Sequence, residues 1–171
     1  MNEDRPPKPD VLDVNPDGIA QFLRSGPKAD DWLVWRFEWQ SDRGEWAKIP
    51  CDGAGAGHRI DATDPENGVR FETALETYET GEYDGLGIIT DPDDRLVGLD
   101  WDDCRDPDEP HGSVPSIVGE AIVELDSYTE QSPSATGYRT FALGEKPDGS
   151  NRGDLDCDPV LEEVPHLEMY D

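Results

Sequence analysis

The amino-acid sequence predicts an α+β fold with a mainly antiparallel sheet and flanking helices. Two observations lead there. Short apolar runs occur in pairs joined by tight polar turns, and single amphipathic helices are interleaved between the pairs. Tight turns join antiparallel neighbours, whereas a doubly wound parallel sheet needs a long crossover between successive strands.

Residues 1–16 carry little apolar content, and a loosely ordered N-terminal segment is expected, followed by a single domain over 17–171. Residues 17–23 read as a short helix with Asp17 as N-cap, stopped by Gly26-Pro27. Residues 31–39, rich in aromatic and β-branched side chains, and 45–50 predict a hairpin around Ser41-Asp42-Arg43-Gly44. Residues 51–64 are glycine-rich without apolar periodicity, so a loop is expected. Phe71, Ala74, Leu75 and Tyr78 fall at i, i+3, i+4 and i+7, one stripe of an amphipathic helix closed by Gly81. The apolar runs 85–90 and 96–101, on either side of Asp91-Pro92-Asp93-Asp94-Arg95, predict a second hairpin. Ile117, Val118, Ala121, Ile122 and Leu125 give helical spacing over Ser116–Leu125. Residues 127–131 and 138–143 read as strands, 144–165 as mostly loop, and 164–170 as a last strand.

Forty-one acidic residues stand against 14 basic ones in 171, a formal net charge of -27. The acids are 25 Asp and 16 Glu, and lysine is scarce, at four against ten arginines. This is the surface of a protein that works in concentrated salt. At molar ionic strength the Debye length is about 3 Å, so the self-repulsion of the surface is screened. The acids are spread through apolar segments rather than gathered in a block, which argues against a disordered acidic tail. No window of eighteen apolar residues exists, which excludes a transmembrane helix; no membrane partner is expected, and residues 1–13 lack the basic and apolar regions of a secretory signal. A cytoplasmic location in a high-salt cytosol is expected. Cys51, Cys104 and Cys157 form no C-x2-C pair, so structural zinc is not predicted, although Cys51/His58 and Cys104/His111 share a C-x6-H interval.

Three stretches carry possible chemistry. Asp100-Trp101-Asp102 closes an apolar run, and on a strand its two carboxylates share a face because side chains alternate with period two. Five Asp-x-Asp pairs occur in the chain, so the spacing alone selects none of them; Asp100 stands apart because it directly follows an apolar strand, where an unmatched charge is costly. Ser132, Ser134, Thr136 and Gly137 form a turn rich in hydroxyl and backbone donors, followed by Arg139, a combination suited to phosphate. In the last stretch, Glu168 alternates with Leu167 and Met169, placing it with Tyr170 on the opposite side of a strand. Arg36, Lys48, Arg139 and Arg152 are further candidates for phosphate contact, whereas Trp32, Trp35, Trp39 and Trp46 read as hairpin core rather than base-stacking platforms.

Taken in order, these pieces resemble the primase-polymerase domain of the archaeo-eukaryotic primase superfamily, in the branch found in phage and plasmid replication proteins. The resemblance runs over residues 32–171. It takes in Trp35-Arg36, Lys48-Ile49-Pro50, Thr63-Asp64-Pro65, the helix at 71–78, Asp84-Gly85-Leu86-Gly87-Ile88, Gly98-Leu99-Asp100-Trp101-Asp102-Asp103-Cys104, Ser127-Tyr128-Thr129-Glu130, Ser132-Pro133-Ser134, Thr136-Gly137 and Leu167-Glu168-Met169-Tyr170-Asp171. It implies a primase-polymerase architecture with an RRM-like catalytic core. The implied activity is template-dependent nucleotidyl transfer, with dNTP or NTP and a DNA template as partners. Asp100, Asp102 and Glu168 would bind two Mg²⁺ or Mn²⁺ ions, and Ser132, Ser134, Thr136, Gly137, Arg139, Lys48 and Arg36 would hold the nucleotide.

The family commonly has His where this chain has Arg139, and Arg keeps its charge but exchanges no proton. Family members also continue beyond the position of Asp171 into a Gly-Arg/aromatic strand. The resemblance therefore implies a C-terminally incomplete domain, with any downstream helicase or helix-bundle segment absent. Two other functions follow from the same residues: a non-catalytic nucleotide- or DNA-binding remnant, and an acidic interaction protein with no metal site. The composition itself makes one prediction: raising KCl from tenths of molar to molar should raise the thermal midpoint by several degrees, and a midpoint that falls would contradict the screening argument.

Overall fold

The structure is a computed structural model that describes residues 5–91, 95–109, 114–161 and 164–171. The chain divides into two compact units, Met1–Ile89 and Thr90–Asp171. The fold is α+β, with two antiparallel sheets and three α-helices among the described residues. Among the described residues no helix is long and apolar enough to cross a membrane.

In the first unit, α1 is a single turn, Gln21–Arg24, preceded by a 3-10 turn at Pro16–Gly18. The helix expected over 17–23 is thus split: Asn15 takes the N-cap position, Asp17 lies inside the 3-10 turn, and Ile19 is extended. Strands β1 (Trp32–Gln40) and β2 (Glu45–Cys51) form the expected hairpin, with Gly44 in left-handed conformation and its N–H donating to Gln40 O at 2.8 Å. Helix α2 (Phe71–Tyr78) coincides with the predicted stripe, burying Phe71 and Ala74, with Phe71 edge-on to Trp32 at 4.9 Å between ring centroids.

Strand β3 (Gly85–Ile88) corrects the second hairpin. It pairs antiparallel with β1, placing Gly85 opposite Trp35 and Gly87 opposite Leu33. A side chain at either position would have to displace its partner: a Cβ on Gly85 would lie 2.6 Å from Trp35 Nε1, and one on Gly87 2.7 Å from a Leu33 methyl. Bulky β1 side chains thus lie across the bare backbone of β3, a complementarity that a turn signal does not encode. The turn residues 92–94 expected to close that hairpin are outside the described residues, as is His111.

The described residues of the N-terminal segment, 5–16, make several contacts with the first unit's sheet. Arg5 stacks over the Trp46 ring at 3.9 Å, Trp46 Nε1 donates to Pro6 O at 3.1 Å, and Lys8 pairs with Asp84 at 2.6 Å. Val11 packs against the cluster of Leu33, Trp35 and Ile89.

In the second unit, β4 (Leu96–Asp102) is the middle strand of five, in the order β5-β6-β4-β8-β7. The others are β5 (Tyr128–Gln131), β6 (Tyr138–Leu143), β7 (Arg152–Asp154) and β8 (His166–Tyr170). Strand β7 lies within the stretch expected to be mostly loop; all three of its residues are exposed, so it carries no apolar pattern. Helix α3 (Ser116–Leu125) has the predicted bounds. Val118, Ala121 and Ile122 join Val97, Leu99, Trp101, Leu167 and Met169 in one core cluster on one face of the sheet. Thr140, fully buried, accepts from Trp101 Nε1 at 3.1 Å and meets Thr129 Oγ1 at 2.9 Å, so the polar atoms under α3 are matched. Gly85→Ala is expected to displace the buried Trp35 indole and destabilise the first unit by about 1–3 kcal/mol, read as a lower urea midpoint at fixed KCl; an unchanged midpoint would mean the indole has room to shift.

Candidate functional site

Because side chains alternate along each strand, the face of the five-stranded sheet opposite α3 collects Gly98, Asp100 and Asp102 from β4 and His166, Glu168 and Tyr170 from β8. The register orders them into rows. One row crosses all five strands as Glu130, Arg139, Asp100, Glu168 and Arg152, each opposite the next. A neighbouring row runs Asp102, His166, Asp154, and another runs Tyr128, Phe141, Gly98, Tyr170.

The structure thus brings together all three acids selected from the sequence. Asp100 lies directly opposite Glu168, and Asp102 projects from the same face two residues along. Like charges facing each other across strands repel. Arginines offset this on both sides: Arg139 forks onto Asp100, with Nε 2.5 Å from Oδ1 and Nη2 3.0 Å from Oδ2, while Arg152 Nη1 donates to Glu168 Oε1 at 3.0 Å. Burial works against the Arg139 charge, but the Asp100 hydrogen bonds and charge, with Glu130 and Asp102, hold its pKa above the ordinary value. The Tyr170 hydroxyl also donates to Glu168, and burial together with that bond pushes its pKa up.

Among the described residues no guanidinium pairs with Asp102, which faces His166 instead. Burial and then the Asp100 charge raise its pKa, with Asp103 and Glu168 adding to the rise and His166 opposing it. The buried imidazole of His166 places Nε2 3.5 Å from Asp102 Oδ2 and 3.9 Å from Glu168 Oε1, and Nδ1 3.9 Å from Asp103 Oδ2. Sequence reasoning missed His166 here, although its two-residue spacing from Glu168 was a usable signal.

The turn from Ser132 to Gly137 abuts the end of β4: a Cβ on Gly137 would lie 2.1 Å from Trp101 O and 3.3 Å from Asp102 Cα. Its polar groups are spent largely on each other. Gly137 N–H donates to Ser132 Oγ at 3.1 Å, Ser132 and Ser134 hydroxyls are 3.1 Å apart, and Ser134 and Thr136 hydroxyls are 2.8 Å apart. Buried Arg105 braces the turn by donating to Ala135 O, a role the sequence did not announce. The neighbouring Cys104 thiol is buried and its pKa is pushed up to about 11, so it remains a protonated core group.

Arg36 and Lys48 belong to the first unit and project from opposite faces of its sheet, since Arg36 is opposite Ile49 while Lys48 is opposite Phe37. Arg36 donates to Glu38 Oε1 at 3.0 Å and to Gly57 O at 3.3 Å, and Lys48 Nζ lies 5.3 Å from the Trp35 ring centroid. They cannot grip one phosphate together. Trp32 and Trp35 are core, as expected, whereas Trp39 and Trp46 are half-exposed and meet edge to face at 5.8 Å.

The donor set of Asp100, Asp102 and Glu168 is all oxygen, the chemistry that hard divalent cations take, and its crowded negative charge favours a cation. Among the described residues no three His, Cys, Asp or Glu side chains converge into a metal cage, and arginines pair with Asp100 and Glu168. By donor type the set matches Mg²⁺ or Mn²⁺, with Asp100 and Glu168 paired to arginines and Asp102 facing His166. No protein-family model matches the chain, and no curated protein matches it.

The Arg36 cluster gives a pH prediction. Bonding from Arg59 and then Arg36 outweighs burial and holds the Glu38 carboxyl below the usual range. The ion pairs therefore contribute stability above the ordinary glutamate pKa of about 4.3 and lose it as pH falls through the lowered native value. Glu38→Gln should remove this share of the acid-side loss, seen as a shallower decline of the urea midpoint below pH 4–5; an identical pH profile would show that the cluster adds nothing.

Proposed function

We propose that the second unit is the catalytic half of a template-dependent nucleotidyltransferase of primase-polymerase type. The observation that carries this reading is the apposition of Asp100 and Glu168 on adjacent strands, with Asp102 on the same face and Arg139 beside them. Sixty-eight positions separate Asp100 from Glu168 in the chain, and the strand register brings them opposite each other.

In this reading Asp100, Asp102 and Glu168 hold two divalent cations. When bound, these supply Lewis acidity toward an attacking 3′-hydroxyl and charge neutralisation for the triphosphate and its leaving pyrophosphate. The other tasks fall to the chain. Arg139 offers a permanent, planar charge that matches a phosphate as well as it matches Asp100. The turn of Ser132, Ser134, Thr136 and Gly137 is held against the end of β4, its backbone next to Asp102, with its hydroxyls bonded to one another. Strand β8, fixed to β4 through Trp101 opposite Leu167 and Leu99 opposite Met169, keeps Glu168 on the reacting face.

The test is Mn²⁺ binding in molar KCl by calorimetry, comparing the chain with Asp100→Ala/Asp102→Ala, followed by primer extension on a DNA template. The double variant should lose at least about tenfold in Mn²⁺ affinity and abolish any extension. Mn²⁺ binding that ignores both substitutions would instead favour the acidic interaction protein, and Mn²⁺-dependent nucleotide binding without extension the non-catalytic remnant.

A further inference from the structure

Alternation along β1 and β2 sends Leu33, Trp35, Phe37, Trp39 and Trp46 to one face of the three-stranded sheet, opposite the face where α2 packs through Phe71 on Trp32. At the hairpin end Trp39 and Trp46 stand directly opposite each other, half-exposed. Residues 5–8, Arg-Pro-Pro-Lys, lie against this face and are contacted at three points. The Trp46 ring takes the Arg5 guanidinium at 3.9 Å from its centroid, with Trp39 at 5.8 Å; the Trp46 indole N–H donates to Pro6 O at 3.1 Å; and the Asp84 carboxylate pairs with the Lys8 ammonium at 2.6 Å. Asp84 is itself fixed, because its other oxygen accepts the Phe37 N–H at 2.7 Å.

The sequence of the segment suits the face. Pro6, Pro7 and Pro9 lock their own φ and push the residues before them toward extended backbone. A polyproline helix repeats every three residues, so Arg5 and Lys8 share one edge of it. An aromatic pair, an indole donor and a flanking acid supply what such a strip asks for: ring faces for guanidinium and proline, an N–H for a backbone carbonyl, a carboxylate for the second basic residue. Residues 5–10 are all exposed and the Lys8 side chain is 48% exposed, so a few surface contacts hold the segment, not burial.

We infer that the face of Trp39, Trp46 and Asp84 is a recognition site for a basic, proline-rich peptide segment of a partner protein, with residues 5–8 as its resident ligand in cis. The inference lies in the first unit and is independent of the two-cation site. A ligand tethered by a few residues stands at roughly millimolar effective concentration, so the resident segment masks the site from a dilute partner. Whatever draws residues 5–8 away opens the site, and the partner's apparent affinity rises with the fraction of chains that are open.

The experiment uses the full chain in molar KCl and a fluorescein-labelled synthetic peptide with the sequence of residues 5–13, followed by anisotropy, beside a Pro6→Ala/Pro7→Ala control peptide. Arg5→Gln/Lys8→Gln in the protein, at two exposed positions, releases the resident segment; this variant should bind the peptide at least severalfold more tightly than the wild type. Adding Trp46→Phe, which keeps a ring and removes the indole donor, should then weaken binding by about fivefold to tenfold. Asp84→Asn, which keeps an oxygen for the Phe37 N–H, makes the same test if the tryptophan variant folds poorly. The site is overturned if the released variant binds no better than the wild type, or binds the control peptide equally well. It is also overturned if the wild type sediments as a dimer and the released variant as a monomer, which gives the face to the same segment of a second copy. Displacement of the peptide by equimolar oligothymidylate overturns it too, by giving the tryptophans to single-stranded nucleic acid.

Discussion

The register of β4 against its two neighbours is the constraint on which the second unit depends. Leu99 and Trp101 must face α3, so period two sends Asp100 and Asp102 to the opposite face. Pairing with β6 then sets Arg139 beside Asp100, and pairing with β8 sets Glu168 on the other side. A slip of one residue in either pairing would turn the apolar set toward the charges and the charges toward α3. Packing under the helix and charge placement above it are thus one specification, written in the alternation of a single strand.

That coupling explains how a sheet face so rich in acid is tolerated. Asp100 opposite Glu168 is unfavourable on its own, and Asp102 adds to it through the burial and neighbouring charges that raise its pKa. The flanking arginines convert the row into an alternation with only one like-charged neighbour pair, at its centre. With half-buried side chains on both sides, the Arg139 fork is screened less than a surface ion pair, and its two parallel bonds set direction as well as strength.

Much of this was legible in the sequence where local periodicity decides. Helices α2 and α3 matched their apolar stripes, and the β1-β2 hairpin followed from aromatic alternation around a polar turn. The partners of β3 and of β4 were not legible, because two apolar runs around a turn announce strands without naming partners; Gly85 and Gly87 answer to Trp35 and Leu33, some fifty residues away. Strand β7 carries no apolar signal because both its faces are exposed. Asp100, Asp102 and Glu168 came from ordered resemblance, since spacing alone offered five equivalent Asp pairs. What the arginines touch depends on register, so Arg139 and Arg152 were visible as phosphate candidates and invisible as partners of acids.

Strand β7 bears on how the molecule behaves in company. A sheet edge is a row of backbone donors and acceptors that another chain can extend, and length is what makes it a template. Here one edge is β7, three exposed residues with an arginine and an aspartate at its ends, and the other is the four-residue β5. Where molar salt weakens the mutual repulsion of anionic proteins, charge no longer keeps neighbours apart, and brevity of the edges takes over that duty. In this five-stranded sheet the template offered to another chain is kept short by geometry, at the cost of a strand too short to announce itself.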